Sequence, residues 1–236
     1  MAQYDMLVIG TGPAGQKAAV QAAKLGKKVG IIERKELVGG VCINTGTIPS
    51  KSLREAVLYL SGFRQRTLYG AEYRLKSSIT IEDLTFRANH IIKNEIEIVQ
   101  NQMARNHIDL IFGEARFVDP HRLLIHQAGT STEHSAQVIV IAVGTSPARP
   151  AEIPFDDDTI IDTDGFLTLK HLPKSMVIVG GGVIGTEYAS ILATMGVPVT
   201  LIDKRPRLLE FVDAQIIDAL QQQMTDIGVT LCHDEE

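Results

Sequence analysis

Tryptophan is absent from the 236 residues, and the chain has only two cysteines, Cys42 and Cys232. Two thiols so far apart in sequence cannot build a disulfide framework, and such usage suits a reducing cytoplasm. No stretch approaches the roughly 20 consecutive apolar residues that a membrane helix needs. The opening MAQYDMLVIGTG lacks the basic start and long apolar run of a signal peptide. A cytoplasmic protein with no membrane partner is therefore expected. Positive charge is not in excess either: the net charge is −5, and no cationic run could track a phosphate backbone. Nucleic acid is thereby excluded as a partner. The seven histidines show no metal-ligand spacing, so no metal is assigned.

What the chain does have is a repeat. Met6-Leu7-Val8-Ile9 runs into Gly10-Thr11-Gly12-Pro13-Ala14-Gly15, and an alanine-rich helical stretch leads to Val29-Gly30-Ile31-Ile32 and the acid Glu33. Much later, Met176-Val177-Ile178-Val179 runs into Gly180-Gly181-Gly182-Val183-Ile184-Gly185, then a helical stretch, then Val199-Thr200-Leu201-Ile202 and the acid Asp203. In both copies the acid follows the first glycine by 23 residues. Each four-residue apolar run fits a strand buried on both faces of a parallel sheet. The three glycines serve a tight turn, a close approach of backbone to a pyrophosphate, and close helix–strand packing. The helix start offers unpaired N–H groups and about half a positive charge to phosphates. The acid accepts hydrogen bonds from a ribose. Two dinucleotides in one chain is the natural reading, giving an α/β protein with two Rossmann-like domains.

Between the copies, residues 50–66 and 81–106 read as helices, the second with apolar residues from Leu84 to Met103 near helical spacing. Residues 112–117 and 122–125 read as short strands about a turn at Asp119-Pro120, and residues 138–142 as a buried strand. Pro147, Pro150 and Pro154 mark the domain boundary. The expected division is residues 1–150, with a helical insertion over about 50–106, followed by residues 151–236.

Residues 39–51, Gly-Gly-Val-Cys-Ile-Asn-Thr-Gly-Thr-Ile-Pro-Ser-Lys, carry a resemblance to the pyridine nucleotide–disulfide oxidoreductase family. It extends over Gly113 to Asp119, Ala142-Val143-Gly144 and the second fingerprint with Glu187 and Tyr188. Disulfide-reducing members have two redox cysteines here, five positions apart. This chain keeps Cys42 and has Thr47 at the second place. A threonine hydroxyl cannot join a disulfide, so dithiol chemistry within this chain is excluded. The resemblance is instead to members that pass hydride between NADPH and NAD through FAD.

That resemblance implies roles. Gly10, Gly12, Pro13, Ala14 and Gly15 hold the FAD pyrophosphate, and Glu33 with Arg34 the adenosine ribose side. Gly39, Gly40, Val41, Cys42, Thr45 and Gly46 line the flavin approach, and Ala115, Ala142 and Gly144 touch FAD. Lys51 stands near the flavin and pairs with Glu187 across the two domains; with Cys42 these are the candidate catalytic residues. Gly180, Gly182, Val183, Ile184 and Gly185 hold NAD or NADP. Asp203 suits the 2′-hydroxyl of NAD, whereas Lys204, Arg205 and Arg207 could accept the 2′-phosphate of NADP. Family members continue well beyond the strand in which this chain ends, so the resemblance implies an incomplete second domain and a full-length form that is a homo-oligomer. Transfer of electrons to a quinone, dye or oxygen, and nucleotide binding without turnover, remain open as alternative functions.

Overall fold

The computed structural model describes residues 2–63, 65–70, 72–73, 76 and 79–235. In chain order the elements are β1 (Ala2–Ile9), α1 (Pro13–Lys24), β2 (Val29–Glu33), α2 (Gly40–Asn44), α3 (Thr47–Leu60), α4 (Arg66–Tyr69), α5 (Ile81–Arg105), β3 (Asp109–Phe112), β4 (Glu114–Asp119), β5 (Arg122–Gln127) and β6 (Thr130–Ile141). A 3₁₀ turn at Gly165–Thr168 then leads to β7 (Met176–Val179), α6 (Val183–Thr194), β8 (Val199–Ile202), α7 (Ala214–Asp226) and β9 (Val229–Cys232). None of the helices is long and apolar enough to cross a membrane, among the described residues.

The chain divides into two compact units, Met1–Pro49 with Asn89–Pro150, and Ser50–Ala88 with Ala151–Glu236. Residues 50–88 therefore group with the C-terminal stretch, although the sequence pattern assigns them to an insertion in the first domain. The reason is apolar burial: Leu53, Ala56, Val57, Ile81 and Leu84 share one core with Ile191 and Leu192 of α6. Each large side chain so buried contributes on the order of 1.5–3 kcal/mol.

The first unit is built on a six-stranded sheet of order β3-β2-β1-β6-β5-β4. β1 lies parallel to β2 and to β6, with Met6 opposite both Val29 and Val138. β6 serves two partners, because its first half is antiparallel to β5 and its second half is parallel to β1. The strand expected over 138–142 is thus the tail of a longer one. The strand expected over 112–117 is cut at Gly113, where φ of +144° ends β3 and starts β4. α1 buries Ala19, Val20 and Ala22 in a core with Val8 and Ile31, which explains its small residues at close helix–strand contact.

In the second unit β7, β8 and β9 form a parallel sheet in sequential order, with α6 and α7 as crossovers. Asp213 caps α7, its carboxylate accepting from the N–H groups of Gln215 and Ile216. β8 is well buried, but Val177 and Val179 of β7 are exposed, contrary to the burial expected on both faces. β7 pairs with β8 alone, and no described element covers its outward side chains. The helix expected over 50–66 begins three residues earlier and ends at Leu60; Arg64 lies outside the described residues, as do Met1 and Glu236.

Candidate functional site

Each glycine-rich turn joins the carboxyl end of a strand to a helix start, the place where open α/β sheets bind ligands. Gly10 and Gly180 turn the chain at φ of +106° and +109°, a region that L side chains rarely enter. A Cβ on Gly15 would overlap the carbonyl oxygen of Gly10, and a Cβ on Gly185 would overlap that of Gly180. Those two glycines let helix and turn touch. By contrast, a Cβ on Gly12 or Gly182 would meet no protein atom within 4 Å. The middle glycines therefore face open space at the N-caps of α1 and α6, neither of which has a side-chain cap. The first N–H groups of a helix have no partner inside it. Both turns thus fit the pyrophosphate of a dinucleotide. α6 starts with Val183 and α1 with Pro13, so the second cradle offers one N–H that the first lacks.

The acids close the cradles from behind. Glu33 is buried and its Oε2 accepts from the backbone N–H of Thr11 at 3.2 Å and from the Thr11 hydroxyl. The same hydroxyl oxygen accepts from the N–H of Gly39 at 3.1 Å, tying the turn before α2 to the cradle. Gly40 approaches so closely that a Cβ there would lie 2.9 Å from the Cα of Gly12. Asp203, also buried, accepts from the N–H of Gly181, the residue equivalent to Thr11. Arg205 then forms a two-pronged ion pair with Asp203, which holds the carboxyl well below the usual carboxylate range. Arg34 and Lys204, the residues after each acid, are exposed.

Ala142 lies beside the first cradle, since a Cβ on Gly10 would overlap its carbonyl oxygen, and its N–H donates to the Ile9 carbonyl at 2.8 Å. Gly144 follows in exposed chain. Ala115 pairs with Ile125 in the antiparallel ribbon and packs against the core of Leu7 and Ile32. Val41 and Cys42 lie in the short α2 and Thr45 and Gly46 directly after it, with Cys42 half-buried and unpaired by any disulfide. Pro13 and Ala14 are exposed at the start of α1.

Lys51 on α3 donates to Glu187 on α6, Nζ to Oε1 at 2.5 Å. The resemblance implies a pair across two domains, but both residues belong to one compact unit. Lys51 is 56% exposed and Glu187 18%, so the carboxylate is the anchored partner. The pair stands at the rim of a cavity of about 500 Å³ whose walls include Arg54, Val57, Thr186 and Ile191. The neighbouring Tyr188 is buried against Phe166, ring centroids 4.5 Å apart, and burial pushes its phenol up to about 12.

Two contributors are missed by pattern reading. Thr11 links Glu33 to Gly39, and buried Gln16 donates from Nε2 to the Thr11 carbonyl at 2.7 Å. The available signal is a polar pair inside an otherwise glycine- and alanine-rich segment. Among the described residues, no group of three His, Cys, Asp or Glu converges as a metal site requires.

Comparison with known proteins accords with this geometry. The family described as "Pyridine nucleotide-disulphide oxidoreductase" matches residues 4–236. The "Soluble pyridine nucleotide transhydrogenase" of Mycobacterium bovis (strain BCG / Pasteur 1173P2) is 52% identical, over 100% of this chain and 51% of its own length. That of Colwellia psychrerythraea is 42% identical, over 99% of this chain and 50% of its own. Among solved structures, the Cu(II) complex of the HOCl-induced flavoprotein disulfide reductase RclA from Escherichia coli superposes with a TM-score of 0.83. It is 30% identical, over 100% of this chain and 50% of that one. The chain spans about half the length of the curated relatives it matches.

Proposed function

The chain belongs to the pyridine nucleotide-disulphide oxidoreductase family, and from that premise we propose that it serves FAD-dependent hydride transfer between NADPH and NAD⁺ in the cytoplasm. FAD is assigned to the first cradle and the nicotinamide nucleotides, in turn, to the second. One observation carries the reading: two dinucleotide cradles occur in a chain that has Thr47 where a disulfide reductase needs its second thiol. The names of the mycobacterial and Colwellia relatives support it.

Bound FAD would supply a two-electron carrier between the nicotinamides. The protein supplies position and charge. Gly12 and Gly182 admit the pyrophosphates, and the starts of α1 and α6 direct N–H groups to them. Glu33 and Asp203 face the riboses. Lys51, held by Glu187, presents a cation that would favour negative charge on a reduced ring system. Without a thiol pair to accept electrons, a second nicotinamide nucleotide is the available acceptor.

The test is an absorbance spectrum of the purified protein under nitrogen, with NADPH and then NAD⁺ added. The expected result is a flavin spectrum that bleaches with NADPH and returns with NAD⁺. Bleaching that a quinone reverses and NAD⁺ does not would overturn hydride exchange in favour of a quinone reductase.

A further inference from the structure

The second cradle has a feature that the first lacks. Asp203 Oδ1 accepts from the backbone N–H and from Nε of Arg205, both at 2.8 Å. Its Oδ2 accepts from Nη2 of Arg205 at 2.7 Å and from the N–H of Gly181. A carboxylate offers about four lone-pair positions, so this one is fully subscribed, and the Arg205 side chain takes two of the four. At the equivalent place in the first copy, Lys35 reaches Glu33 through its backbone N–H at 3.0 Å, and among the described residues one position on Oε1 stays open.

We propose that Arg205 is an internal competitor for Asp203: it covers the carboxylate that a ribose 2′-hydroxyl would use and, once displaced, becomes the cation that takes a 2′-phosphate. The proposal rests on the reading that the second cradle holds NAD and NADP. The Asp203 side chain is only 4% exposed, whereas that of Arg205 is 35% exposed. The guanidinium is therefore the movable partner, on the solvent side, and a ribose must arrive where it now lies. Of the cations that follow the acid, Arg205 is the one whose side chain bonds Asp203, whereas Arg207 lies 3.6 Å from Asp218. NAD⁺ has to break this ion pair and offers only neutral ribose hydroxyls in return. NADP⁺ breaks it too, but gives the guanidinium an anionic partner of matching geometry. One residue would thus hold down affinity for one nucleotide while raising it for the other, narrowing the gap between them.

The test measures equilibrium affinities of NAD⁺ and NADP⁺ by isothermal titration on FAD-saturated protein. Flavin and nucleotides are then all oxidised and no turnover intrudes. Arg205→Met should tighten NAD⁺ about 3- to 10-fold, the scale of a partly exposed ion pair, and weaken NADP⁺ about 10- to 100-fold. Arg205→Lys, which keeps the charge but loses the fork, should also tighten NAD⁺ while keeping most of the NADP⁺ affinity. NAD⁺ affinity unchanged in both variants would make Arg205 a phosphate ligand only and overturn the competition. Loss of both nucleotides together with a lowered melting temperature would make Arg205 structural and would overturn the competition as well. Binding of neither nucleotide by the wild type would instead overturn the assignment of the second cradle, and the competition with it.

Discussion

The two cradles share turn, helix start and acid, yet they close differently. In the first, the acid is tied inward: Glu33 is bonded to Thr11, whose hydroxyl reaches on to Gly39, so acid, turn and the following loop form one buried knot. In the second, glycine replaces that threonine, and a Cβ on Gly181 would overlap Leu208. Asp203 keeps a tie to the turn through the Gly181 N–H but is also bound outward, to a partly exposed arginine. The inward knot suits a ligand that stays, and the outward pair suits ligands that exchange. The helix starts follow the same division, with proline rigidifying the first and valine leaving an extra donor in the second.

The largest expected effects come from the packing glycines, where the cradles should behave alike. Gly15→Ala and Gly185→Ala each force a methyl into a backbone carbonyl, so a loss of about 3 kcal/mol or more in thermal or urea unfolding is expected. Gly12→Ala and Gly182→Ala are the counterparts. They should leave stability within about 1 kcal/mol but weaken their respective nucleotides at least about tenfold in titration. Similar stability losses from the two pairs would break the distinction between packing and ligand-facing glycines.

Next comes the knot. Thr11→Val leaves Glu33 with backbone donors only and strands the Gly39 N–H inside the protein, an expected cost of about 1–3 kcal/mol seen as a lowered urea midpoint. Smaller still is Lys51→Met. With Lys51 more than half exposed, its effect on stability should stay under about 1 kcal/mol, while stopped-flow bleaching by NADPH should slow about tenfold. The mildest is a pH effect confined to the second cradle. Arg205 holds the Asp203 carboxyl below its unfolded value of about 3.9. The stabilisation is complete above that value and is lost as pH falls through the folded value. Unfolding free energies of wild type and Asp203→Asn should therefore begin to converge as pH falls below about 4 and meet only well below it.

Much of this architecture is legible in the sequence for one physical reason: the signals are local. A strand, a glycine turn, a helix and an acid lie within one short segment in each copy, and their geometry follows from backbone constraints at a few residues such as Gly10 and Gly180. The acids stand at the strand ends, where the pattern puts them, but nothing local announces their partners. Thr11 meets Glu33, and Gly39 meets Thr11, only once the chain has folded back. The grouping of residues 50–88 with the C-terminal stretch is hidden too, because the spacing of Leu53 and Val57 shows that a helix has an apolar face and not which helix will cover it. Likewise four apolar residues announce β7 as a strand without revealing that Val177 and Val179 stay exposed.

The order of the strands bears on how the molecule forms during synthesis. β7, β8 and β9 pair in the order in which they leave the ribosome, each joined to the next by a single helix. β1, in contrast, is hydrogen-bonded to β6, with Met6 opposite Val138, so its second edge stays open until most of the first unit has been made. Contacts between distant parts of a chain are slow to close. The first cradle, begun earliest, thus waits for a strand more than a hundred residues away, whereas these three strands of the second can pair one after another as each emerges.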